Sequence, residues 1–177
     1  MPTVVGVLVV GTVLALALIA FVREPQTETA GGGEIVIEDV LGFRVANVRT
    51  ASTLGASGSE LRANGRFWIV DLEIKNHGHP SEYRVDSHRP VLVGESFRDR
   101  HTIDQRAQDV LRANGGLPAP PPRLAAGETC TQQLVYDVPT SLDRGDLRIL
   151  WGGPLGELLK DIVLGDKRIT LFVPHEG

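Results

Sequence analysis

The sequence predicts an all-β fold, an antiparallel β-sandwich interrupted by one short helix and preceded by a single N-terminal transmembrane helix. Three observations carry this. From Glu34 onward apolar side chains recur at every second position, the period of a half-buried strand. Gly, Pro and Asn clusters cut that pattern into short pieces, as hairpin-connected strands require. The first 22 of the 177 residues carry no charge, although the whole chain has 18 Lys and Arg against 22 Asp and Glu, a net charge of −4. The remaining length suits one buried core and is too short for two large ones.

Thr3 to Val22 is free of charge and proline and rich in Val, Leu, Ala and Ile. As a helix at ~1.5 Å per residue it spans ~30 Å, the hydrocarbon thickness of a bilayer. A cleaved signal peptide needs basic residues before the apolar run and a small-residue site after it. Here only Met1 and Pro2 precede the run, and the A-x-A match Ala15-Leu16-Ala17 lies inside it, so residues 1–23 are expected to remain as an anchor. Arg23 alone favours a cytoplasmic C-terminal side. Glu24, Glu28, Glu34, Glu38 and Asp39, with no base among residues 24–39, suit an anionic cytoplasmic leaflet poorly. The expected arrangement is a single pass through the bacterial inner membrane with the C-terminal domain on the extracytoplasmic side. Gly11 and Ala15, four apart, offer a face for close helix packing. Residues 24–33, ending in three glycines, read as a flexible tether with a reach of roughly 17 Å.

Residues 34–177 then form the sandwich. Trp68, Val70, Leu72 and Ile74 line one strand face, with Asp71, Glu73 and Lys75 on the other. Leu134, Tyr136 and Val138 alternate with Gln133 and Asp137 on the polar face before Pro139; Leu147, Ile149 and Trp151 before Gly152; Ile169, Leu171 and Val173 near the C-terminus. Shorter candidates are Ile35–Ile37, Phe43–Val48, Tyr83–Val85 and Val91–Val93, giving seven or eight strands in all. Between them, Thr102-Ile103-Asp104-Gln105 fits a capping box. Ile103, Ala107, Val110 and Leu111 follow at helical spacing, and Gly115 stops the run, so residues 103–114 read as an amphipathic helix. A proline-rich loop, residues 117–123, comes next and cannot join a central strand. Residues 95–123 thus form a long excursion from the sandwich, the kind of connection that often carries function.

The run Phe67-Trp68-Ile69-Val70-Asp71-Leu72-Glu73-Ile74-Lys75-Asn76, with Leu124-Ala125-Ala126-Gly127-Glu128 and Leu134-Val135-Tyr136-Asp137-Val138-Pro139, resembles a family of bacterial immunoglobulin-like domains. That family is secreted or membrane-anchored and includes the immunoprotective extracellular antigens. The resemblance covers about residues 66–151 and implies an immunoglobulin-like β-sandwich outside the membrane, with no catalytic residue to carry over. The helix and proline run depart from the family's usual short connection.

Nucleophile and nucleotide signatures are missing: the sequence has no G-x-S-x-G, no Walker A loop and no G-x-G-x-x-G. Cys130 is the single cysteine, so no internal disulfide forms, and its strand position suits a small buried apolar group. The turn His77-Gly78-His79 is the best metal candidate, with His88 or His101 as a third imidazole. Arg84, Arg89, Arg98, Arg100, Arg106 and Arg112 interleave with Asp86, Glu95, Asp99, Asp104 and Asp109. That mixture makes a partner-facing or solvated surface and not a nucleic-acid stripe. The expected function is therefore non-enzymatic, without a cofactor. It is that of an accessory subunit docking on a larger integral membrane complex, respiratory or photosynthetic, through Arg98, Arg100, Arg106, Arg112, Pro120 and Pro121. The alternatives are a stand-alone metal- or ligand-binding envelope domain using His77 and His79, and an anchored hydrolase.

Overall fold

The computed structural model describes residues 27–29, 35–37, 41–78, 83–85, 88–96, 98–151 and 168–172. The apolar span with Gly11 and Ala15, and also His79, lie outside them. Among the described residues no helix is long and apolar enough to cross a membrane. The strands are β1 (Thr27–Thr29), β2 (Ile35–Ile37), β3 (Leu41–Leu54), β4 (Leu61–Asn76), β5 (Tyr83–Arg84), β6 (His88–Val93) and β7 (Arg100–His101). After helix α1 (Gln105–Ala113) come β8 (Arg123–Leu124), β9 (Thr129–Val138), β10 (Arg144–Trp151) and β11 (Arg168–Phe172).

Two sheets result, ordered β2-β3-β4-β9 and β1-β11-β10-β6-β7, with β5 and β8 as a separate ribbon. Pairing is antiparallel except between β1 and β11, which run parallel from Thr27↔Arg168 to Thr29↔Thr170. The expected tether therefore contains a strand: its threonines suit extended backbone, and pairing there gives β11 a neighbour along its outer edge. The larger count of strands has the same origin. The strands not expected, β1, β7 and β8, are two or three residues long and carry no apolar alternation.

Trp68, Val70, Leu72 and Ile74 are all fully buried and face Leu92, Leu147, Ile169 and Leu171 of the second sheet. Tyr136 sits beside Trp68 across the β4–β9 pair. Its hydroxyl donates to Pro90 O at 3.3 Å, and burial pushes the phenol well above its usual range. This is the predicted core, formed as the period-two pattern requires.

The opposite face of the four-stranded sheet differs from the expectation. Phe67 and Ile69 point outward from the sandwich, yet they are 1% and 3% exposed. Ala107 of α1, itself fully buried, packs over them and over Val135, with Val110 and Leu111 alongside. The helix is thus a third layer lying on the sheet, and the excursion does not stand away from the sandwich. Its apolar stripe is used internally, completing one apolar cluster with Leu54, Phe67, Ile69 and Val135 of the sheet.

The helix begins two residues later than the capping-box reading placed it. Asp104, not Thr102, is the N-cap, its Oδ1 accepting from Ala107 N at 2.9 Å. Asp104 N donates to Val135 O at 2.8 Å, which fixes residue 104 on β9 and so decides where the helix starts. At the other end Gly115 adopts φ +92°, and Gly116 N donates to Leu111 O at 2.8 Å, the stop expected at that glycine.

Candidate functional site

Sequence reasoning pointed to residues 95–123, and the structure builds a site there from three pieces. Asn64 and Gly65 of β4, Arg100 to Asp104 around β7, and Asp137 to Thr140 at the end of β9 enclose an open cleft of about 770 Å³. Gly65 is required by close approach: a Cβ there would lie 2.2 Å from Val138 O. That approach brings Asn64 and Gly65 onto the Asp137 carboxylate. Asp137 Oδ2 accepts from Asn64 N at 2.9 Å and Asn64 Nδ2 at 2.7 Å, and Oδ1 accepts from Gly65 N at 3.2 Å.

The cleft contains two carboxylates and an imidazole, the residue types of acid–base chemistry. Asp137 holds the β4 backbone, and Asp104 caps α1. His101 Nε2 lies 3.0 Å from Asp99 Oδ1, close enough for ionic attraction but without the direction of a hydrogen bond. Both carboxylates thus accept backbone N–H groups, Asp104 from Ala107 and Asp137 from Asn64 and Gly65. The cleft is a structural joint that fixes β7 and the helix start to the sheet.

Beside the cleft, the excursion is fastened to the free edge of β9. Gln108 Nε2 donates to Gln133 O at 2.7 Å, and Leu117 N donates to Gln133 Oε1 at 3.2 Å. Gln133 Nε2 reaches Asp71 Oδ1 at 2.7 Å, and Arg49 Nη1 reaches Asp71 Oδ2 at 3.1 Å. Gln133, 4% exposed, is therefore the hub that joins helix, proline loop and sheet. Sequence reasoning placed it on the solvent side of its strand. The available signal was Phe67, Ile69 and Val135, three apolar residues on the face assigned to solvent.

The candidate interface residues differ in exposure. Arg98, Arg100, Arg106 and Pro121 are exposed, Pro120 is half-buried, and half-buried Arg112 pairs with Asp109 of its own helix at 3.4 Å. The candidate metal residues are dispersed. His77 is exposed at the end of β4. His88 is buried with its ring edge-on to Phe43, centroids 5.3 Å apart, and its Nε2 lies 3.3 Å from Gln132 Oε1. His101 is in the cleft. Among the described residues no group of three or more His, Cys, Asp or Glu side chains is placed to hold a metal ion. Cys130 is half-buried, and burial raises its thiol pKa, which keeps the thiolate scarce at neutral pH.

Fold and site define a helix-covered β-sandwich whose polar groups hold its layers together. No protein-family model matches the sequence, and no curated protein matches it. Among solved structures the chain is similar to a conserved hypothetical protein from Bacillus anthracis, at 19% identity over 68% of this chain and 87% of that one, with a TM-score of 0.54. At that identity the likeness is one of fold. Similarity also extends to the secreted protein MPT63 from Mycobacterium tuberculosis, at 13% identity over 85% and 98% of the chains, TM-score 0.49. A third is an uncharacterized β-sandwich protein from Clostridium difficile, at 12% identity over 86% and 97%, TM-score 0.47.

Proposed function

We propose that the protein is a non-enzymatic accessory subunit of the bacterial envelope. In this reading residues 1–23 anchor it by one pass in the inner membrane, and an immunoglobulin-like sandwich stands on the extracytoplasmic side. That sandwich docks on a larger integral membrane complex, of the energy-transducing respiratory or photosynthetic kind. One observation supports it above the rest: the inserted segment is held against β9 through Asp104, Gln108 and Leu117, while Arg98, Arg106 and Pro121 face outward. A surface already rigid loses little further entropy on binding, which favours a lasting contact. The other reading, metal binding by a stand-alone domain, rests on His77 and His79, the second outside the described residues, and no observed geometry favours it.

Gentle detergent extraction of the full chain from its own membranes tests the proposal. The wild-type chain is expected to migrate with a larger assembly. The double substitution Arg98→Glu/Arg106→Glu, at two exposed positions, is expected to cut the recovered assembly by about tenfold with the melting temperature unchanged, because reversed charges oppose a complementary partner. Migration of the wild type as a free chain, or recovery unaffected by the double reversal, would contradict it.

A further inference from the structure

The proline-rich stretch has a geometry that goes beyond general docking. Residues 118–122 read Pro-Ala-Pro-Pro-Pro. Each proline ring locks φ near −65°, and each residue preceding a proline is steered to extended ψ, so residues 118–121 favour polyproline II geometry over roughly 12 Å before the chain bends at Pro122. It makes no internal backbone hydrogen bonds, which leaves its carbonyls to accept from a partner.

Both ends are fixed. Leu117 N donates to Gln133 Oε1 at 3.2 Å just before it, and Val85 N donates to Pro122 O at 3.1 Å at its end. Directly afterwards Arg123 and Leu124 pair with β5, and Leu124 is 1% exposed. The strap therefore runs over the surface between two anchors.

Polyproline II geometry repeats every three residues. Residues 117 and 120 share one edge, 118 and 121 a second, and 119 and 122 a third. Pro120 is half-buried and leans on the domain, while Leu117 is 37% exposed. Pro118, Ala119, Pro121 and Pro122 are all exposed, so the other two edges face outward. A proline stretch that served only as a cover would bury more than one of its three edges.

We infer that this strap is a preorganised ligand for a proline-recognition groove on the partner: a shallow surface walled by Trp and Tyr rings. Its indole N–H and phenol O–H groups would donate to the strap's carbonyls, while the rings pack on Pro118 and Pro121. Two parallel edges are what such grooves read, and the low entropy of the strand supplies affinity. The inference rests on the docking proposal and gives it a partner class.

The test uses the full chain in detergent micelles, titrated against an SH3 domain that binds P-x-x-P ligands. That domain stands in for the groove, and its fluorotryptophan label is followed by ¹⁹F NMR. Saturable binding is expected, weakened at least about tenfold by Pro118→Ala/Pro121→Ala and less than about twofold by Pro120→Ala. A synthetic peptide of residues 116–124 is expected to bind several-fold more weakly than the intact chain, because it lacks the two anchors. Absence of binding, equal sensitivity to Pro120→Ala, or a peptide as tight as the whole chain would overturn the inference. Co-purification separates its failure from that of the docking proposal. An assembly lost with Arg98→Glu/Arg106→Glu but kept with Pro118→Ala/Pro121→Ala leaves docking intact and removes the strap from it.

Discussion

Replacing residues 103–122 by a short Gly-Ser linker is expected to leave the chain aggregated, or to lower its melting temperature by more than about 10 °C. The segment looks removable in the sequence, lying between two strands, but it covers Phe67, Ile69 and Val135, which are 1%, 3% and 0% exposed. Uncovering three large apolar side chains costs about 1.5–3 kcal/mol each, or roughly 5–9 kcal/mol together, as an upper bound. Domains of this kind are stable by only about 5–15 kcal/mol. The deletion also frees the edge of β9, where Val135 O and Gln133 O now accept from Asp104 N and Gln108 Nε2, and an open edge beside an apolar patch invites association between chains. Thermal melting of the detergent-solubilised full-length and deleted chains reads the effect. A deleted chain that melts within 3 °C of wild type, by order of magnitude less than 1 kcal/mol, would show that the helix is not a layer of the core.

The second large effect belongs to Asn76, where the sequence motif and the structure meet. Asn76 is fully buried at the end of β4. Its Nδ2 donates to Leu124 O at 3.1 Å and its Oδ1 accepts from Gly78 N at 3.1 Å. Its backbone N donates to Glu128 O at 2.9 Å and its carbonyl accepts from Gly127 N at 2.7 Å. Gly127 takes φ +84°, and the Glu128 carboxylate accepts from Ala125 N at 2.9 Å, closing the turn. Asn76→Ala keeps the backbone bonds but strands a buried carbonyl at Leu124, at a cost of about 2–4 kcal/mol. Chemical denaturation is expected to show a lower midpoint with unchanged slope. Lys75→Ala, one residue earlier, is expected to stay within about 0.5 kcal/mol. If the two substitutions cost the same, Asn76 is not the clip that joins the end of β4 to the 124–128 turn.

Much of this was legible in sequence because period-two alternation is a direct record of burial on one face. Trp68 to Ile74 and Leu134 to Val138 could be assigned to the core before any coordinates, and Gly115 to the helix end. The third layer was hidden by the same rule. A strand buried on both faces shows no alternation, and Phe67-Trp68-Ile69-Val70 is such a stretch, with all four residues buried. The helix start moved from Thr102 to Asp104 because a tertiary bond, Asp104 N to Val135 O, settled a choice between two capable caps. Asp137 was read as one more charge in an alternating strand, since nothing local signals that Asn64 and Gly65, more than seventy residues earlier, would meet it.

In the cleft Asp104 accepts from Ala107 N and Asp137 from Asn64 N and Gly65 N, so both carboxylates brace the fold. The proposed docking surface is the outer side of this region, with its arginines and braced proline strap, on a layer whose inner side is closed.

Amide hydrogen exchange on the detergent-solubilised full chain, read by peptide, examines most directly whether that braced layer exists. Amides of 105–113 are expected to exchange as slowly as those of 129–138 and to open together with them, since helix and edge strand share a core and hydrogen bonds. Helix amides that exchange orders of magnitude faster than the strand would mean a segment that comes and goes from the sheet, and the rigid surface argued for here would not be there.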